Sequence, residues 1–281
     1  MFWRSALALG SLLRNRDLSI RILSRRHRLR LFFGLLFTSL GIISSVVPGV
    51  ALATSANSLY QQRADYKAAL DHLTAGRMRS YARRRDQLDD YALRPYLAYY
   101  ELQSRLSRAS EADVRTFRSE FSELPVADIL YYRWMKRLGR RREWQTFLDN
   151  YEPSQDAELR CYHLRALYGN GERERALEGV PDLWVVGKSQ PKACDPLFDT
   201  WINSGNLTQS LTWGRLELAL AANETTLARY LLRFFDSPVK AWAQSLYNVH
   251  VNPKAISRTE RYRSDTQFSR AVISHGLKRL A

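Results

Sequence analysis

The chain has 281 residues, with 43 Lys and Arg against 28 Asp and Glu, a formal charge of +15 and two cysteines. Seven of those fifteen charges come from eight arginines and one aspartate in the first 30 residues, which leaves +8 on residues 54–281. So modest an excess, with no basic run interleaved with a reader motif, excludes a nucleic-acid binder, and two cysteines are too few for a cysteine-rich metal site.

The first segment reads as an address rather than a fold. Arg4, Arg14, Arg16, Arg21, Arg25, Arg26, Arg28 and Arg30 make a basic region, and Leu31 to Val47 is uncharged and mostly apolar. Pro48-Gly49 then breaks the helix, and Ala51-Leu52-Ala53 offers small residues two apart. These are the parts of a cleavable signal peptide, here residues 1–53 with cleavage after Ala53. The long basic region fits a start codon downstream of Met1. The apolar run is also long enough for an uncleaved inner-membrane anchor, which is the alternative and the only route by which a membrane becomes a partner. Either way the chain is exported. An even cysteine count behind an export signal predicts a disulfide and an oxidising compartment.

Residues 54–281 read as helix almost throughout. Tyr131, Trp134, Met135 and Leu138 fall at i, i+3, i+4 and i+7, on one helix face. Leu227, Tyr230, Leu231 and Phe234 repeat that spacing, and Trp213, Leu216 and Leu220, or Phe117 with Phe121, mark further stripes. No window alternates apolar and polar residues cleanly, so strands are not expected. Gly76, Pro95, Pro125, Gly139, Gly171, Gly205 and Pro238 cut the chain into helices of roughly 8–16 residues, and Pro181 should end or kink a helix near Gly179. At Gly76, Gly139, Gly171 and Gly205 a glycine is expected to close one helix before a polar start opens the next. The later intervals are near 32–34 residues, a loose helical-repeat period. Short helices joined by short turns pair antiparallel, and a long series of them builds an all-α right-handed superhelical α-solenoid.

Three strings in this array are more specific. Leu88-Asp89-Asp90-Tyr91-Ala92-Leu93-Arg94-Pro95-Tyr96-Leu97 has the pattern L-x-x-Y-x-L-x-P-Y-L. Leu183-Trp184 leads through Gly187-Lys188-Ser189-Gln190-Pro191 to Ala193-Cys194-Asp195 and Leu197-Phe198, then Trp201 and Gly205. His275 to Ala281 forms the third. Together they resemble the superhelical domain of soluble lytic murein transglycosylases from about Leu59 to Ala281, essentially all of residues 54–281. The resemblance implies a superhelix that forms part of a ring, on which a lysozyme-like catalytic domain sits in the full enzymes. Those enzymes cleave the N-acetylmuramic acid to N-acetylglucosamine bond of peptidoglycan without adding water and leave 1,6-anhydromuramic ends, with one glutamate as acid and then base. It also implies that Cys161 pairs with Cys194, a free buried thiol being the alternative for Cys161. The location implied is the periplasm. The partners implied are peptidoglycan glycan strands, with a separate catalytic domain or cell-wall enzyme.

Glycosidic cleavage needs a carboxylic acid held with a raised pKa. In the family that acid stands in a Glu-Ser pair, followed by Gly-Leu-Met-Gln and Ala-Tyr-Asn-Ala-Gly elements, and none of the thirteen glutamates here precedes a serine. No catalytic residue is therefore carried over. Residues 54–281 are expected to be the scaffold portion, incomplete at its C-terminal end, without the catalytic domain and not catalytic by itself. A non-enzymatic periplasmic scaffold that binds peptidoglycan or a partner cell-wall enzyme is the alternative. No cofactor or metal is expected. His27, His72, His163, His250 and His275 are scattered, and no Gly-rich phosphate loop is present. Trp134 and Trp184 are expected in the core, whereas Tyr100 and Tyr132, adjacent to stripe residues, are candidate glycan contacts. An array cut at its end would leave the last helix, with Val272, Ile273, Leu277 and Leu280, uncovered.

Overall fold

A computed structural model of the chain describes residues 49–257 and 259–281, so nearly all of the expected signal segment lies outside the described residues. Among these residues there are fourteen α-helices, several short 3₁₀ segments and no strand. The helices are α1 (Gly49–Thr74), α2 (Met78–Arg85), α3 (Arg94–Ser104), α4 (Glu111–Glu120), α5 (Pro125–Arg141), α6 (Trp144–Asp149) and α7 (Ala157–Gly169). They continue with α8 (Arg173–Glu178), α9 (Pro181–Trp184), α10 (Asp195–Asn203), α11 (Gln209–Ala221), α12 (Thr225–Leu231), α13 (Val239–Val251) and α14 (Gln267–Leu280). None of the described helices is long and apolar enough to cross a membrane.

Local chemistry sets most of the helix starts. Pro95, Pro125, Pro181 and Pro196 occupy the first or second helical position, where the missing N–H removes no helix bond and φ is already helical. Ser110 and Asp113 form a reciprocal capping box at α4, and Thr266 and Ser269 form another at α14. Asp156 and Thr208 each accept a backbone N–H from the first turn of α7 and α11. Such caps are each worth about 1 kcal/mol.

The helix ends share one backbone device. Gly76, Arg142, Gly171, Gly205 and Asn223 all lie in the left-handed region. In each case the N–H of the following residue reaches back to a carbonyl five positions earlier, as from Glu143 to Leu138, Glu172 to Leu167 and Glu224 to Ala219. These are Schellman closures. The expectation for Gly139 is corrected here. Gly139 lies inside α5, buried, and Arg142 takes the left-handed turn three residues later. The reason is steric: a Cβ on Gly139 would run into the Tyr162 ring of α7, so that glycine serves helix contact and not helix termination.

Packing divides the apolar interior into three clusters. The first gathers Ala69, Leu73, Tyr81, Leu88 and Leu97 from α1 to α3. The second is built on α3 to α7 around Leu130, Trp134, Leu138 and Phe147. The third and largest runs from Cys161 and Trp184 through Leu216 and Leu231 to Val272. α7 serves two of them, sending Leu159, Tyr162 and Ala166 into the second and Cys161 with Leu164 into the third. Trp134 and Trp184 are core, at 1% and 2% exposure. Tyr230 departs from its expected stripe and is exposed. α12 buries Leu227, Ala228 and Leu231, a face that leaves Tyr230 outside it, and continues as 3₁₀ turn over Leu232–Phe234. In α14, Val272 is fully buried while Leu277 and Leu280 are exposed.

Gly139→Ala should therefore lower stability by about 1–2 kcal/mol, overpacking outweighing the helix-propensity gain. Arg142→Gly should raise it by about 0.5 kcal/mol by relieving the left-handed turn. Urea unfolding of the two variants checks both; a stabilised Gly139→Ala would refute the close α5–α7 contact.

Candidate functional site

Cys161 and Cys194 are joined in a disulfide, with Cα atoms 5.0 Å apart and both residues fully buried. α7 supplies the first cysteine and a 3₁₀ turn, Lys192–Cys194, the second. Between them the chain makes α8, α9 and a loop whose Gly187 lies against α11. A Cβ at that position would stand 2.6 Å from the Leu218 carbonyl oxygen. Arg165 of α7 donates from Nη1 to the Ala193 carbonyl at 3.1 Å and lies over the Trp144 ring. The cysteine string therefore clamps α9 and α10 onto α7, with Trp184 and Trp201 in contact beneath it at 5.7 Å between ring centroids.

Beside this clamp opens a cleft of about 500 Å³, lined by Trp184, Ser189, Asp195, Asp199, Arg215 and Tyr230 among others. Arg215 is only 4% exposed, and its guanidinium carbon lies 4.5 Å from the centre of the Trp184 ring. Its Nε has no hydrogen-bond partner. Burial lowers the pKa of Arg215 to about 10, against a small opposing pull from Tyr230. The side chain stays cationic at neutral pH. A buried charge without a counter-ion costs several kcal/mol, and a desolvated cation–π contact returns about 2 kcal/mol of that. The aromatic stripe of α11 drew attention to Trp213, Leu216 and Leu220 and hid Arg215. The available signal was that Thr212, Arg215 and Ala219 form a second buried face of the same helix.

A larger cleft of about 700 Å³ lies along the Leu88–Tyr99 element, reaching α4. Three arginines there pair with carboxylates. Arg94 pairs with Asp89 at 3.2 Å, Arg85 with Glu101 at 3.1 Å and Arg105 with Asp113 at 3.0 Å. The Tyr81 hydroxyl donates to Glu101 at 2.9 Å, and burial together with the Glu101 charge pushes that phenol upward. Hydrogen bonds from Arg105 and from Ser110 hold Asp113 down at about 2. Glu101 Oε2 accepts from both Tyr81 and Arg85 in this network.

Tyr100 and Tyr132 are 39% and 40% exposed. Each has its ring against a buried neighbour, Tyr99 at 5.2 Å and Tyr131 at 5.8 Å. Burial, and after it the phenols of Tyr100, Tyr91 and Tyr96, raise the pKa of Tyr66.

The histidines are less scattered than their sequence positions. His163 stacks on Tyr151 with ring centroids 3.9 Å apart. His250 of α13 and His275 of α14 meet at 2.9 Å between Nδ1 and Nε2, and His250 Nε2 stands 3.1 Å from Asn223 Oδ1. One tautomer set satisfies this chain: His250 donates from Nε2 to Asn223 and accepts at Nδ1 from His275. Burial is the main cause that lowers both imidazoles, and Arg279 adds to it in each. Among the described residues no three His, Cys, Asp or Glu side chains gather in a way that could hold a metal ion.

No protein-family model matches the chain. The soluble lytic murein transglycosylase of Escherichia coli strain K12 is 30% identical over 226 residues, 80% of this chain and 35% of that protein. The protein of the same name from Salmonella typhimurium is 30% identical over 218 residues, 77% of this chain and 34% of that one. Among solved structures, an inactive mutant of the lytic transglycosylase Slt from Pseudomonas aeruginosa is 36% identical, with a TM-score of 0.70 over 77% of this chain and 35% of its own. The 70 kDa soluble lytic transglycosylase of Escherichia coli, solved in complex with bulgecin A, is 28% identical with a TM-score of 0.68, over 79% of this chain and 36% of its own. The chain thus spans about a third of the length of the curated relatives it matches. Its homologues are soluble lytic murein transglycosylases, and it shares their all-helical superhelical fold.

Two measurements follow from this geometry. Replacing both cysteines by serine opens a cross-link of sequence separation 33 and should cost roughly 3–4 kcal/mol by loop-closure entropy. Urea unfolding with and without reductant reads it, and equal midpoints would remove the clamp from the stability argument. The histidine pair has folded pKa values below the unfolded value of about 6.5, so the unfolded chain binds more protons and stability rises with pH there. That contribution is complete above pH ~6.5 and is lost as pH falls through the lowered folded values. The melting temperature should drop between about pH 7 and pH 5, and His275→Gln should flatten the drop.

Proposed function

We propose, with homology to soluble lytic murein transglycosylases as the premise, that residues 54–281 are the scaffold portion of a periplasmic lytic transglycosylase. In this reading the superhelix forms part of a ring that holds peptidoglycan and positions it for cleavage, and residues 1–53 direct export. The observation that carries it is the extent of the match: 77–80% of the chain aligns with these enzymes, yet none of its glutamates stands in a Glu-Ser pair. The aligned residues therefore supply support and contact rather than the acid that breaks the glycosidic bond. Tyr100 and Tyr132 are the proposed glycan contacts, since exposed phenol faces stack on sugar rings while their hydroxyls bond ring substituents. The same absence of a Glu-Ser pair favours, as the second reading, a non-enzymatic periplasmic scaffold that delivers peptidoglycan to a partner cell-wall enzyme.

Purified chain incubated with peptidoglycan sacculi tests the proposal. It should co-sediment with them and release no anhydromuropeptides, and the double change Tyr100→Ala with Tyr132→Ala should weaken co-sedimentation several-fold. Release of anhydromuropeptides would overturn the non-catalytic assignment. Absence of co-sedimentation would overturn the peptidoglycan assignment.

A further inference from the structure

Arg215 is the charge that this fold leaves unanswered. Arg137 and Arg118, also partly buried, have carboxylates to meet. Arg137 reaches Glu143 at 2.9 Å and also donates to loop carbonyls, and Arg118 forks onto Glu152. Arg215 is more buried than either, and no described carboxylate lies within ion-pair distance of it. Its guanidinium carbon lies over the Trp184 ring, 4.5 Å from the centroid. The planar fork of an arginine matches a carboxylate bidentately. The volume beside it, about 500 Å³, falls in the range of small-ligand sites.

Two carboxylates on the same cleft narrow the ligand class. Asp195 and Asp199 stand one turn apart on α10, so they share a helix face, and both are exposed and line the cleft. A bare anion such as phosphate would find the cation of Arg215 and the repulsion of two aspartates together. A neutral sugar would bury Arg215 further and leave it unpaired, which is the costly outcome for a buried charge. A ligand with a carboxylate and an ammonium group a few ångströms apart satisfies both ends. Trp184, Phe198 and Tyr230 then supply apolar wall for a small side chain between them.

We propose that this cleft binds a short peptide with both termini free, as a zwitterion, with its carboxylate on Arg215 and its ammonium group on Asp195 and Asp199. Ser189 and Gln190, on the rim, face the peptide unit. The proposal adds to the peptidoglycan reading, and rests on it for the identity of the polymer, by giving this cleft to short peptides released from the polymer while Tyr100 and Tyr132 take the glycan. The recognition step itself needs both charged ends of the peptide.

Calorimetric titration of the full chain tests it, using the dipeptide D-alanyl-D-alanine, its C-terminal amide, its N-acetyl derivative and inorganic phosphate as probes. The dipeptide should bind saturably, the amide at least about tenfold more weakly, the N-acetyl form more weakly than the dipeptide, and phosphate not measurably. Arg215→Gln should erase the difference between dipeptide and amide. Asp199→Asn, an exposed change that keeps the fold, should weaken the dipeptide while leaving the N-acetyl form unaffected. Equal affinity for dipeptide and amide, phosphate binding comparable to the dipeptide, or no dipeptide binding by the folded chain would each overturn the proposal. Co-sedimentation with sacculi in the same preparations separates the two assignments. Sacculus binding without dipeptide binding removes the cleft site alone, whereas dipeptide binding without sacculus binding keeps the site and removes the polymer.

Discussion

The array depends on helices that are buried on two sides at once, and α7 is where that demand is greatest. A helix at the edge of a bundle needs one apolar stripe. α7 instead carries Leu159, Tyr162 and Ala166 toward one core cluster and Cys161 with Leu164 toward another. It is the shared wall of two interiors. Its neighbour α5 comes close only because Gly139 presents no side chain to Tyr162, and on its other side the disulfide ties it to the turn before α10. Ala193, next to the bonded cysteine, packs against both clusters. Movement of α7 would therefore disturb both halves of the apolar interior, and the covalent link stands where the two halves join.

The two clefts show opposite uses of charge. Along α3 and α4 the arginines and carboxylates are spent on one another, and that surface is a network with its partners already chosen. Beside α11 the charges line a common cleft without pairing, with a buried cation on one side and two exposed carboxylates on another. Desolvation strengthens any interaction Arg215 does make. A fold that carries such a group unpaired loses stability, and that loss is understandable where an outside molecule supplies the missing charge.

Much of this was legible because it rests on periodicity and on proline. The helical stripe of Tyr131, Trp134, Met135 and Leu138 lies buried as its spacing demanded, and Pro181 opens α9 after α8 stops at Glu178. The Leu183–Phe198 string carries the resemblance to homologues of the same fold. What escaped depends on contacts between segments far apart in the chain. Gly139 has the sequence context of a helix end, and only the Tyr162 ring opposite shows that it lies within one. His250 and His275 are 25 positions apart and meet because α13 and α14 pack together. Arg215 gives no sign of burial in a helix read for a single apolar stripe, because α11 is also covered on a second face.

The helix closures carry a further consequence. The same backbone turn is made at Gly76, Gly171 and Gly205, at Asn223 and even at Arg142, with hydrogen bonds supplied entirely by the main chain. In four of the five, the next residue, Arg77, Glu143, Glu172 or Glu224, adopts nearly the same φ and ψ and starts a new helix at once. The direction in which the chain re-enters the stack is thus encoded in main-chain geometry and only weakly in residue type. Such a molecule can drift far in sequence, and change the length of its units, while each corner still turns the same way. That is how an architecture persists after its repeat has faded from the text that specifies it.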